Sequence, residues 1–220
     1  METKSKMPQI GEACFCIIYL VFGFIVSIIM LANANGNKLD IILGILTLVL
    51  AGGDSFHLVP RIINAFKDEF EKYEWWAGLG LMISSITMTV FYILLYYACE
   101  LMKPETNTNT LKIMYYVLLS FAFVRIICCL FKQNNWFKKE GNQKWGIIRN
   151  IPFIFVGIIA VYGCIAVGQI GMAIAIIISF GCYLPVVFGA KKKPMIGMLM
   201  MPKTVAYMWI ICIVLKMVLQ

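Results

Sequence analysis

Seven long apolar stretches, each ended by a short polar interval, make up most of the chain: residues 13–33, 39–60, 75–99, 111–131, 146–167, 171–189 and 196–219. Each has roughly the 17–25 residues that cross a hydrocarbon core as a helix. The runs are continuous and do not alternate between apolar and polar, which selects helices over barrel strands. A spanning segment must satisfy its backbone internally, and a helix does so within itself. The pattern therefore predicts an all-α, polytopic integral membrane bundle of seven transmembrane helices, forming a single transmembrane domain over residues 1–220.

The intervals carry their own signals. Asn35-Gly36-Asn37 reads as a turn, and residues 168–171 are so tight that the fifth and sixth helices must be antiparallel neighbours. Gly157, Ala160 and Gly163 on the fifth, and Gly171, Ala175 and Ser179 on the sixth, recur at helical spacing. Small residues in such stripes let helix backbones approach closely, so these two helices are expected to pack through them. Residues 61–74 place Ile62, Ile63, Phe66, Phe70 and Tyr73 at helical spacing among charges. That pattern fits either an interfacial amphipathic helix or a helix extension with a solvated face. Trp75, Trp76, Trp136 and Trp145 mark the headgroup level. Pro60 and Pro185 end the second and sixth segments alike, hinting that helices one to three recur as five to seven, with the fourth as a linker.

Composition strengthens the membrane reading. The 220 residues are 61% hydrophobic and 14% charged, against about 45–50% and 25% in soluble domains. With the N-terminus inside, fourteen Lys and Arg fall on the inner side, and four (Lys38, Lys103, Lys112 and Lys216) on the outer side. The positive-inside rule then sets the N-terminus inside and the C-terminus outside. The net charge of +8 reads as topology and as contact with membrane lipids, specifically anionic headgroups on the cytoplasmic side. No basic soluble domain exists to bind nucleic acid. The expected location is the cell membrane of a bacterium. Lys4 and Lys6 precede an apolar run ending in Ala32-Asn33-Ala34, which imitates a signal peptide. The run is longer than a signal core of roughly 7–15 residues, and an uncleaved helix is expected.

The eight cysteines all lie in or beside apolar segments, with no C-x-x-C, and the chain has one histidine. They are expected to be buried small hydrophobes, with neither a metal nor another cofactor.

Candidate chemistry gathers at the inner end of the second segment, in "AGGDSFHLVPRII". Asp54 lies six residues short of Pro60, roughly 9 Å below the inner surface at about 1.5 Å per residue. Asp54, His57 and Arg61 share one helix face. Pro60 cannot donate to the carbonyl of Phe56 and leaves that group free. Arg125 sits at the same depth in the fourth segment, and an unpaired charge there is costly. Asp54 and Arg125 are therefore expected to face each other across a small polar cavity open to the cytoplasm, with Glu12, Ser84, Ser85, Asn150 and Tyr183 reaching a similar level. In this reading Asp54 and His57 are the catalytic candidates. Arg125, Arg61, Glu12, Ser84, Tyr183 and Asn150 are the substrate-binding candidates. The competing structural reading makes Asp54 and Arg125 a neutral clasp and Arg61 a snorkelling headgroup contact.

Gly53-Asp54 late in a membrane helix, followed by the aromatic-rich "WWAGLGLMISSITMTVFYILLYY", resembles the lysoplasmalogenase family of polytopic membrane hydrolases over about 50 residues. The resemblance implies cleavage of a vinyl-ether lysolipid, with Asp54 as the acid that protonates the vinyl ether or activates water. The family carries a second membrane aspartate in its C-terminal half and usually eight helices. Here the only acid after Glu105 is Glu140. Three functions are carried forward: a lysolipid hydrolase, a small transporter or ligand-binding protein, and a non-catalytic structural or regulatory membrane subunit.

Overall fold

The computed structural model describes residues 7–67, 70–102, 108–138, 141–189 and 194–220. Within them the chain forms seven helices: α1 Met7–Asn33, α2 Lys38–Lys67, α3 Phe70–Leu101, α4 Thr108–Leu130, α5 Gln143–Ala166, α6 Ile170–Gly189 and α7 Met200–Val218. All seven are long and apolar enough to cross a membrane. The chain is thus an all-α, multi-pass integral membrane protein. Of the residues that bear on orientation and acidity, Lys4, Lys6, Lys103, Glu105, Lys139, Glu140, Lys191, Lys192 and Lys193 lie outside the described residues, as does the side chain of Lys72.

Two helices overrun the sequence boundaries. α2 continues through Pro60 to Lys67, and α3 begins at Phe70. The charged stretch after Pro60 thus follows the helix-extension reading over its described part, with Phe66 exposed and Ile62 and Ile63 half-buried. A proline inside a helix removes one backbone hydrogen bond. The carbonyl it deprives, that of Phe56, is not left free as the sequence suggested. It lies against the backbone of Gly80, so close that a Cβ there would overlap it. The glycine Cα–H facing a carbonyl supplies a weak substitute contact. One turn towards the middle of the membrane, a Cβ on Gly53 would collide with Thr87. A glycine on each helix lets α2 and α3 approach closely, with backbone contact at Gly80 and side-chain contact at Gly53.

The helices close into a ring. α1 packs on α2, α2 on α3, α3 on α5, α5 on α6, α6 on α7, and α7 returns to α1 and α2. α4 packs on α3 and α5 from outside that ring; only 22% of its apolar window is buried, which makes it the most lipid-exposed span. Exchanging α1–α3 for α5–α7 maps the α3–α5 contact onto the α7–α1 contact, and α1–α2 and α2–α3 onto α5–α6 and α6–α7, while the α2–α7 contact has no counterpart of similar extent. That pattern fits the two-proline hint of a repeat.

The expected α5–α6 stripe forms only in part. Gly157 faces the ring of Phe180 on α6, but Gly163 seats Tyr96 of α3 and Gly171 meets Ile213 of α7. Each glycine accepts a bulky side chain from whichever neighbour lies closest, so the stripe serves three interfaces. The end of α4 is closed by a polar clasp. Asn134 Nδ2 donates to the carbonyls of Cys128 at 2.7 Å and Phe131 at 2.9 Å, and Trp136 Nε1 donates to that of Cys129 at 2.9 Å. These are carbonyls that a helix end otherwise leaves without partners. Arg149 donates to Asn134 Oδ1 at 2.8 Å and stacks over Trp136, tying α4 to α5. Trp136 is therefore a cap as well as a headgroup marker.

The α2–α3 approach is testable. Gly80→Ala should destabilise by about 1–3 kcal/mol, the usual range for overpacking, because the added Cβ meets backbone atoms that cannot rotate away. Gly181→Ala, with nothing within 4 Å, should leave Tm in detergent unchanged. Equal Tm values for the two variants would refute the contact.

Candidate functional site

The site is built around Asp54, which is 6% exposed although it carries a carboxylate inside a membrane span. One oxygen, Oδ2, accepts from the hydroxyl of Tyr19 on α1, and the other, Oδ1, accepts from Ser84 on α3, each at 2.9 Å. Three helices thus converge on one carboxylate. α2 supplies it, α1 supplies a donor on the same face as Glu12 and Cys16, and the close α2–α3 crossing brings up Ser84. His57 follows one turn after Asp54, with Nδ1 3.9 Å from Oδ1 and no hydrogen-bond partner. That separation is too long for a hydrogen bond, but it sets an imidazole beside a carboxylate with one nitrogen unused.

Asp54 and His57 line a cavity of about 130 Å³ together with Glu12, Phe15, Cys16, Arg61, Leu81, Lys203 and Thr204. Arg61 and Glu12 form an ion pair of 2.7 Å between α2 and α1, with side chains 53% and 29% exposed. The same pair, with Cys16, also lines an adjoining cleft of about 330 Å³ that reaches Ile62, Asn64 and Ala65. Glu12–Arg61 therefore lines both the cleft and the Asp54 cavity.

Lys203 on α7 is half-buried. Its ammonium lies 5.0 Å and 5.2 Å from the ring centres of Tyr183 and Tyr207. It is near enough to Asp54 and Arg125 to feel both charges. Cation–π contact offsets part of its desolvation. A burial-costly cation and a burial-costly carboxylate thus share one small cavity.

Of the eight residues proposed from sequence, Asp54, His57, Ser84, Glu12 and Arg61 come together. Arg125, Asn150 and Tyr183 do not join them. No ion pair links Asp54 to Arg125 among the described residues, and α3 is the reason. It stands between α2 and α4, offering the Ser84 hydroxyl to Asp54 and the Ser85 carbonyl to Arg125, the latter at 3.4 Å. Equal depth along two helices does not make them neighbours. Arg125 is 2% exposed, its guanidinium carbon lies 3.1 Å from the centre of the Phe153 ring, and its Nε and Nη1 have no partner. Tyr183 donates to Asn150 Oδ1 at 2.8 Å, and Asn150 donates in turn to the Gly146 carbonyl; this pair ties α6 to α5.

The sequence reading missed Tyr19 and Lys203. Tyr19 was legible as the position seven after Glu12, on the same face of an otherwise apolar helix. Lys203 was counted only as an inner-side charge, because nothing local shows that α7 closes the ring beside α2.

No protein-family model, curated protein or solved structure matches this chain, so the meaning of the site rests on its own geometry.

Arg125 gives a direct check. A cation with two idle donors is a burden on the fold, and apolar replacement of poorly compensated buried charge is often neutral or stabilising. Arg125→Met, which keeps length and contact with Phe153, should hold or raise Tm. Arg125→Ala, which leaves a void, should lower it. A Tm loss in the methionine variant as large as in the alanine variant would mean that the charge itself supports the bundle.

Proposed function

We propose that this membrane protein is a hydrolase of single-chain lipids, with Asp54 and His57 as its proton-transfer pair. The observation that carries the reading is an intramembrane carboxylate oriented by two hydroxyls, set beside a histidine with a free nitrogen, in a cavity that also holds a lysine. Ionisable groups inside a membrane segment mark function by default. The adjoining cleft has the roughly 300 Å³ or more typical of small-ligand sites.

On a vinyl ether, the bond that the lysoplasmalogenase resemblance suggests, His57 gives a proton to the alkene carbon. Asp54 takes a proton from the water that adds to the resulting oxocarbenium carbon. The hemiacetal so formed breaks down to a glycerol hydroxyl and a fatty aldehyde. Lys203 and Arg61 supply positive charge for a headgroup phosphate; Arg125, outside this cavity, has no part in the step.

A second reading is supported by the exchange pattern of helix contacts. Parallel repeats related by an axis along the membrane normal occur in transporters, with binding at the repeat interface. There the same cavity would bind a solute without converting it.

The test is hydrolysis of lysoplasmalogen and acyl lysophospholipid by the full chain in lipid nanodiscs. Asp54→Asn should lower turnover by at least about 100-fold, the low end for loss of a general acid or base, while Ser84→Ala should cost less. Unchanged turnover in Asp54→Asn, or no product from the unaltered protein on either lipid, would overturn the reading. Solute uptake by proteoliposomes without product would favour the second one.

A further inference from the structure

We propose that Cys99 and Cys164 form a reversible dithiol–disulfide pair that staples α3 to α5. Their Sγ atoms are 3.8 Å apart, and both residues are fully buried. Of the other six cysteines, Cys14 and Cys212 are exposed, Cys128 and Cys182 half-buried, and Cys16 and Cys129 buried. Local packing brings the two helices together at this point. Tyr96 shares a face of α3 with Cys99, and its ring sits on Gly163, the residue before Cys164, so tightly that a Cβ there would lie 2.7 Å from a ring carbon. That glycine lets α3 and α5 come together where the thiols meet. A disulfide needs sulfurs about 2.05 Å apart, a closure of just under 2 Å.

Cys99 lies two residues before the end of α3, and Cys164 two before the end of α5. The pair is therefore within one turn of the membrane face opposite the Asp54 cavity, and independent of it. Full burial excludes bulky oxidants, and the oxidant proposed is a small neutral peroxide. One thiol gives up its proton as its sulfur attacks a peroxide oxygen, the O–O bond breaks, and a sulfenic acid and one water result. The second sulfur attacks the sulfenic sulfur, the S–O bond breaks, and a second water leaves. Two thiols and one hydrogen peroxide thus give one disulfide and two waters, with two electrons passing to the peroxide. A small dithiol reverses the step by exchange, ending as its own disulfide. The bond would fix the α3–α5 meeting of α1–α3 with α5–α7, leaving the contacts of α7 with α1 and α2 free.

The test uses the full chain in lipid nanodiscs treated with hydrogen peroxide, then denatured and alkylated. Six reactive thiols should remain of the eight, intact mass should fall by about 2 Da for the two hydrogens lost, and dithiothreitol should restore all eight. Proteolysis of the unaltered protein should yield one non-reduced peptide pair holding Cys99 and Cys164. Cys99→Ser and Cys164→Ser should keep all seven of their thiols at the same dose, and the rise of several degrees in Tm seen on oxidation should be absent from both. Retention of eight thiols, a bridged peptide pair lacking either residue, or a mass gain from sulfinic acid would overturn the proposal. Peptide mapping decides the matter even if the serine variants do not fold.

Discussion

Gly53 and Gly80 let α2 and α3 come unusually close, Gly80 against the backbone of α2 and Gly53 against the Thr87 side chain, and the polar interior follows from that approach. Because α3 lies so near, Ser84 reaches Asp54 at 2.9 Å. For the same reason the Phe56 carbonyl, stripped of its partner by Pro60, is covered and not left in hydrocarbon. In lipid every polar group needs a partner from protein. Two hydroxyls from two neighbouring helices meet that need for the Asp54 carboxyl, one on each oxygen.

The same helix that completes the Asp54 site also isolates Arg125. With α3 interposed, the guanidinium has an aromatic ring, one long contact to a backbone carbonyl and two idle donors. Positive charge therefore outweighs negative in this part of the bundle, since Glu12 and Arg61 already neutralise each other. The interior polarity divides into a carboxylate cavity bounded by α1, α2, α3 and α7 and a cationic seam among α3, α4 and α5.

What the chain discloses on reading follows the range of the forces involved. Spanning segments are local, set by about twenty consecutive residues, and all seven could be read off the hydrophobic runs. The importance of Asp54 was legible too, because a charge in hydrocarbon is conspicuous wherever the helix lies. Its partners were legible only where a periodicity pointed at them, as for His57 on the same helix. Ser84 was reached through depth alone, and depth also produced the mistaken pairing with Arg125. Lateral order in a bundle is decided by which small residues meet which large ones. Gly163 accepting Tyr96, and Gly171 meeting Ile213, are choices among several faces that no single-helix pattern records.

The ion pair that lines both spaces has a kinetic meaning. Its two side chains are 53% and 29% exposed, and a pair so accessible to water contributes at most about 1 kcal/mol. Separating Glu12 from Arg61 would then be opposed by no more than a few-fold in population at room temperature. Thermal rotamer motion alone, on the nanosecond scale of exposed side chains, would break and remake the contact, so the wall shared by the cleft and the Asp54 cavity is a yielding one.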